Sequence, residues 1–168
     1  MLDLAIKHKT ELETIQYNIW LEEKYKYYNC DTYYDSLQID ESTWQRHQFV
    51  SVKNGEVVGY ILYRVDRTSD MAHSLAIMNF TDDKITFGID LGRALTDIFE
   101  KYNFRKLEFS VVVGNPIEIS YDNITKRYGG RIIGTHHKQC RLIDGKLYDL
   151  KEYEIFKEDY MKNRRIKK

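Results

Sequence analysis

The stretch FGIDLGRAL, residues 87–95, carries the reading of the fold. From Leu91 onward apolar residues recur at Leu91, Ala94, Leu95, Ile98, Phe99 and Tyr102, the spacing of one helix face. Gly88 and Gly92 stand at the entry to that helix, with Arg93 directly after. Small residues there let an anion approach unpaired amides, where the helix dipole favours negative charge. Asp90 lies in the middle of this entry. A carboxylate is a good N-cap, and it accepts from the same amides an anion would use. About 4 Å from a phosphate it also costs roughly 4 kcal/mol per charge pair at an effective dielectric of about 20. Three arrangements follow. Asp90 points outward and leaves the cradle intact, or the cradle lengthens and shifts toward Gly88 and Arg93, or anion binding is weakened or lost.

Upstream of this segment the pattern is that of strands. FVSVK, the turn NGE and VVGYILYRV read as a hairpin, with Asn54-Gly55 as its turn signal. RTSDM turns the chain into AHSLAIMNF, a third strand, and TDDKITFGID reads as a loop. Residues 10–29 show helical periodicity through Leu12, Ile15 and Ile19, and residues 41–47 suit a short second helix capped by Asp40 or Ser42. Downstream, RKLEFSVVV is a buried strand ending at GNP, which holds the sole proline, Pro116. Ile117, Tyr121, Ile124 and Tyr128 mark a helix closed by Gly129-Gly130. RIIGTHHKQCRLI, the turn Asp144-Gly145 and KLYDLKEYEIF form a last hairpin. The helix between AHSLAIMNF and KLEFSVVV is a crossover, so those strands lie parallel.

Composition narrows the class. The 168 residues, 42% hydrophobic and 31% charged, suit one domain with a sizeable core. No apolar run approaches a membrane span and the N-terminus has no signal-peptide core, so the expected compartment is the cytoplasm. Cys30 and Cys140 match no metal spacing. Net charge is zero but unevenly spread: residues 1–50 carry nine acids against five bases, and residues 111–168 eight acids against thirteen bases. The acidic end suits a cationic acceptor and the basic end an anion such as a phosphorylated cofactor. No basic–aromatic stripe supports a nucleic-acid partner. Residues 1–160 are read as a single domain and 161–168 as a basic tail.

This order of elements resembles the GCN5-related N-acetyltransferase (GNAT) superfamily. The resemblance rests on FGIDLGRAL between a strand and a helix, on EFSVVVGNP followed by a helix and YGGRIIG, and on the closing hairpin RLIDGKLYDLKEYEIFKEDY. That hairpin looks like the branch acting on ribosomal-protein N-termini and small amines. The resemblance implies an α/β (α+β) fold with a mixed, mostly antiparallel sheet flanked by helices and a parallel, splayed strand pair. It implies an acetyl-CoA-dependent acyltransferase moving an acetyl group to a primary amine of a small molecule, peptide or protein. It further implies that Met78, Asn79 and Phe80 supply backbone contacts to the pantetheine arm, while Gly88, Ile89, Leu91, Gly92 and Arg93 surround the phosphates. Three positions depart from the family pattern: Phe87 replaces its Arg/Gln, Asp90 its first loop glycine, and Thr125 the usual tyrosine of the last helix. They leave open a non-catalytic binding or regulatory module with a degenerate cofactor loop.

Acetyl transfer needs an acid for the departing thiolate. Tyr121, one turn before Thr125, is the candidate, with a core tyrosine as its alternative. Asn115 either bonds the cofactor arm or forms the turn before Pro116. His136 and His137 point to opposite faces of a strand, so one could reach the cleft, and both also suit the surface. Glu108 suits a base or a solvated carboxylate, and no base is assigned. YKYYNCDTYYD offers rings and carboxylates to a cationic amine, or forms a hydrated loop. The closing hairpin could pair with another chain to give a homodimer.

Overall fold

The computed structural model describes residues 1–20, 22–28 and 37–164. Cys30, most of the tyrosine- and aspartate-rich stretch after Tyr28, and residues 165–168 of the basic tail lie outside the described residues. Seven strands form one sheet in the order β1-β2-β3-β4-β5-β7-β6. They are β1 (Leu2–Leu4), β2 (Arg46–Lys53), β3 (Glu56–Asp66), β4 (Met71–Asn79), β5 (Lys106–Val112), β6 (Arg131–Arg141) and β7 (Leu147–Phe156). Among the described residues four α-helices accompany them: α1 (Lys9–Ile19), α2 (Lys84–Thr96), α3 (Glu118–Arg127) and α4 (Lys157–Arg164). All strand pairs are antiparallel except β4–β5. The mixed sheet with a parallel pair is therefore as the sequence predicts.

Alternation along the strands builds two cores. On β3, Ile61, Tyr63 and Val65 face the cluster completed by Phe87, Leu91 and Leu95 of α2 and by Tyr121 of α3. Tyr60 faces the opposite side, with Leu12 of α1 and Val50 of β2. Each large apolar side chain so buried contributes about 1.5–3 kcal/mol.

Four expectations are corrected. First, the helix expected from Leu91 starts at Lys84, seven residues earlier. Asp83 caps it, accepting from the Ile85 and Thr86 amides. The buried stripe begins at Phe87, and its packing outweighs the roughly 1 kcal/mol that each helical glycine costs. Second, no helix forms over residues 41–47, because the chain enters β2 at Arg46 and its pairing with β3 dominates. Third, the first helix stops at Ile19, and a short 3-10 segment follows at Glu23–Tyr28. Fourth, residues 157–160, read with the closing hairpin, and 161–164, read as tail, together form α4, whose Tyr160 stacks on Phe99 at 4.5 Å.

The parallel pair is short. β4 and β5 pair only at Met71↔Lys106 and Ala72↔Leu107. Directly beyond, β4 carries an extra residue against β3: Arg64 opposes His73 and Leu62 opposes Ala76, with Ser74 at φ +54°. A bulge bends its strand and increases its twist. It stands where β4 leaves β5, and the remainder of β4 runs free of that neighbour.

Candidate active site

The gap between the parted strands opens on a cavity of about 740 Å³. Ile77 and Asn79 of β4 and the adjoining Phe80 form its floor, α2 and α3 its walls, and Tyr25, Tyr27 and Tyr28 of the 3-10 segment cover part of it. Gly59 allows Phe87 to close one wall, since a Cβ at Gly59 would stand 2.5 Å from the Phe87 ring.

Backbone register decides which β4 groups face the gap. The Phe80 N–H donates to the Val58 carbonyl of β3, and Tyr60 opposes Met78 in the same hydrogen-bonded alternation. Asn79, opposite Gly59, and Ile77, opposite Ile61, therefore turn their N–H and C=O away from β3 and into the gap. Of Met78, Asn79 and Phe80, named from the sequence, Asn79 has this orientation. Ile77 shares it and was missed, because the register was not readable before the bulge was known.

Six of the residues named from the sequence meet at the cavity: Asn79, Phe80, Gly88, Leu91, Gly92 and Asn115. Met78 packs toward the α1 side of the sheet, Ile89 is exposed, and Arg93 is held by Asp90 at 2.8 Å. A Cβ added at Gly88 or Gly92 would meet nothing within 4 Å, so these glycines leave one face of α2 bare toward the cavity. The Asn115 Oδ1 accepts from the Ile117 amide at 3.1 Å, which makes it a turn former as well as a lining residue.

The entry to α2 is occupied by the chain itself. The Asp83 carboxylate accepts from the Ile85 amide at 3.1 Å, the Thr86 amide at 2.9 Å and the Thr86 hydroxyl at 2.8 Å. The Lys84 amide donates to the Asp82 carbonyl at 2.9 Å. The Lys53 ammonium pairs with Asp83 and, together with the Thr86 donors, holds its carboxyl well below the usual carboxylate range. Asp90, by contrast, is mid-helix and buried, with Ser51, Arg93 and the Met1 ammonium as partners. The anion conflict expected at Asp90 is thus found at Asp83. The aspartate three residues before Thr86 is the cap signature that could have shown it.

Tyr121, expected at the site, lies behind the cavity lining, 3% exposed and edge-on to Phe109 at 5.0 Å. Its hydroxyl donates to the Leu75 carbonyl at 3.3 Å, just past the last β4–β5 pair. Burial pushes its phenol well above the usual tyrosine range. Thr125 is buried below, its hydroxyl without a partner among the described residues. His136 and His137 pair with Glu152 and Asp149 on the exposed hairpin, and Glu108 pairs with Lys106, away from the cavity.

Sheet order, the short parallel pair and the parted strands beyond it define the GNAT fold. Solved structures with this fold include the spermidine/spermine N-acetyltransferase SpeG from Vibrio cholerae in complex with manganese ions, at TM-score 0.59 and 20% identity over 71% of this chain and 70% of that one. A point mutant of Vibrio cholerae SpeG matches at TM-score 0.60 and 18% identity over 92% of this chain and 79% of that one. A probable acetyltransferase matches at TM-score 0.58 and 18% identity, and the present chain spans 64% of its length. No protein-family model matches the chain, and no curated protein sequence matches it.

Proposed function

We propose that the protein is an acetyl-CoA-dependent N-acetyltransferase acting on a primary amine. The parted β4–β5 pair opening on the cavity carries this reading. The residues present fit the arm end of the cofactor: Ile77 and Asn79 turn backbone donors and acceptors into the gap, and Gly88 and Gly92 leave room beside it. The diphosphate end fits less well, because Asp83 holds the α2 amides. Lys84 and Arg127 line the same cavity and offer positive charge to phosphates.

Acetyl-CoA would supply the thioester: as a neutral amine's nitrogen bonds to the acetyl carbon the C–S bond breaks, the amine's surplus proton leaves through water, and CoA departs as the thiol. Tyr121 is the proposed proton donor to the departing thiolate: its hydroxyl lies on the Leu75 carbonyl where β4 leaves β5, and the burial that weakens it as an acid must be offset by the charge of the thiolate as it forms. Tyr25 and Tyr27 line the same cavity and offer rings to a cationic acceptor. Because the SpeG neighbours are named for spermidine, a linear polyamine is the first acceptor to assay, with a ribosomal-protein N-terminal peptide as the second.

A non-catalytic module is the second reading, favoured by the Asp83 contacts alone. Calorimetry with acetyl-CoA, followed by assay of free thiol with each amine, separates the two. Heat of binding with amine-dependent thiol release is the expected result. Binding without turnover across the amines favours the module, and absence of both heat and thermal shift at saturating donor removes the acetyltransferase reading.

A further inference from the structure

We propose that the chain plugs its own donor slot, with Tyr28 and Asp83 occupying the backbone groups that the arm and the diphosphate of a donor would need, so that binding requires their displacement. This rests on the reading of the gap as a donor slot.

The Tyr28 hydroxyl stands 3.3 Å from both the Asn79 carbonyl, to which it donates, and the Asn79 amide, from which it accepts. Those are the gap-facing groups that the β4 register frees from β3. One hydroxyl thus satisfies a donor and an acceptor as an amide of an incoming arm would. Tyr25 adds a contact from its hydroxyl to the Phe80 carbonyl at 3.5 Å. At the other end, the Asp83 carboxylate holds two amides of the helix entry. Ile77, two residues back along β4, keeps its gap-facing groups against the cavity.

The segment carrying Tyr28 is fastened on its far side as well. Lys26 donates to the Tyr148 hydroxyl at 3.4 Å and pairs with Asp144 at 3.6 Å, on the turn between β6 and β7. Tyr27 meets the Tyr148 ring edge-on at 6.1 Å. The strap Glu23–Tyr28 therefore runs from the end of β4 to the closing hairpin, across the cavity mouth. None of its residues is fully buried, so it has little apolar anchorage to resist lifting. A slot open only part of the time binds with an affinity reduced by the open fraction.

The two plugs predict different signatures. Tyr28→Phe keeps the ring and removes the hydroxyl, so acetyl-CoA and S-acetylpantetheine should each bind up to about tenfold more tightly. Asp83→Gly frees the helix amides and removes a charge, so acetyl-CoA should gain about tenfold while S-acetylpantetheine, which lacks the diphosphate, should not change. Without any donor, hydrogen exchange at the Asn79 amide should speed up in Tyr28→Phe and stay slow in Asp83→Gly. Unchanged exchange at Asn79 overturns the Tyr28 plug whatever the donor does. If the wild type binds acetyl-CoA and neither variant binds it more tightly, the plug falls and the donor slot stands. If neither donor binds to any of the three proteins, the slot reading itself falls and takes the plug with it.

Discussion

The Ser51 hydroxyl of β2 donates to the buried carboxylate of Asp90 on α2 at 2.6 Å. The other Asp90 oxygen accepts from Arg93 at 2.8 Å, one helical turn on. Asp90 therefore ties helix to sheet and makes no contact with the helix entry. Asp90→Gly should leave Ser51 buried without its acceptor and add a glycine inside α2. The expected loss is about 2–4 kcal/mol, summing an unsatisfied buried group with lost helix propensity. Urea denaturation reads the loss, while acetyl-CoA affinity should not rise. A cost of a few tenths of a kcal/mol would show that Asp90 is a solvated cap after all.

His47 gives the stability a pH dependence. It lies stacked on Tyr63 at 4.8 Å, with both ring nitrogens unpartnered among the described residues. Burial, reinforced by the nearby charges of Arg67 and Lys101, pushes its pKa down to about 4. The unfolded chain therefore takes up this proton first. The neutral imidazole's contribution is complete above the unfolded value of about 6.5, and is lost as pH falls toward the folded value of about 4. The loss amounts to roughly 3 kcal/mol across that window. His47→Phe should flatten the urea midpoint between those pH values, and an equally steep profile in the variant would assign the effect to other groups.

Gly88→Ala and Gly92→Ala should act in opposite directions on stability and binding. A methyl at either position meets open space, so α2 should gain about 0.5–1 kcal/mol per substitution. If a donor lies against that face, its affinity should fall by several-fold. Stabilisation with unchanged affinity would place the donor elsewhere in the cavity.

Tyr121→Phe removes one hydrogen bond to Leu75, at a cost of about 0.5–1.5 kcal/mol. If Tyr121 is the proton donor, the substitution should lower kcat by about a hundredfold or more, with little change in donor affinity. Steady-state kinetics beside calorimetry makes the comparison. A kcat within twofold of wild type would leave Tyr121 as a core residue alone.

The core sequence of strands, crossover helix and hairpins was legible because it rests on local periodicity. Ile61, Tyr63 and Val65 alternate against Tyr60, and Leu91, Ala94, Leu95 and Ile98 recur on one helix face, whatever they later touch. The crossover dictated the parallel β4–β5 pair. The start of α2 was not legible in the same way. Gly88, Asp90 and Gly92 have weak helix propensity, and only Phe87 packing on β3 and Asp83 capping the entry make those residues helical.

Of the site, the chain's own order determined the gap and the glycine face beside it. Tertiary structure decided what fills them. Asn79 faces the gap because its register with Gly59 leaves its backbone unpaired by β3, and Tyr28 reaches it from 51 residues away. Asp90 looked like a cap in one dimension, and Ser51 on β2 made it a buried strut. Periodicity along a chain specifies which face of an element is apolar. Which polar atoms meet across elements depends on strand register and helix placement, and those are set by the packed core as a whole.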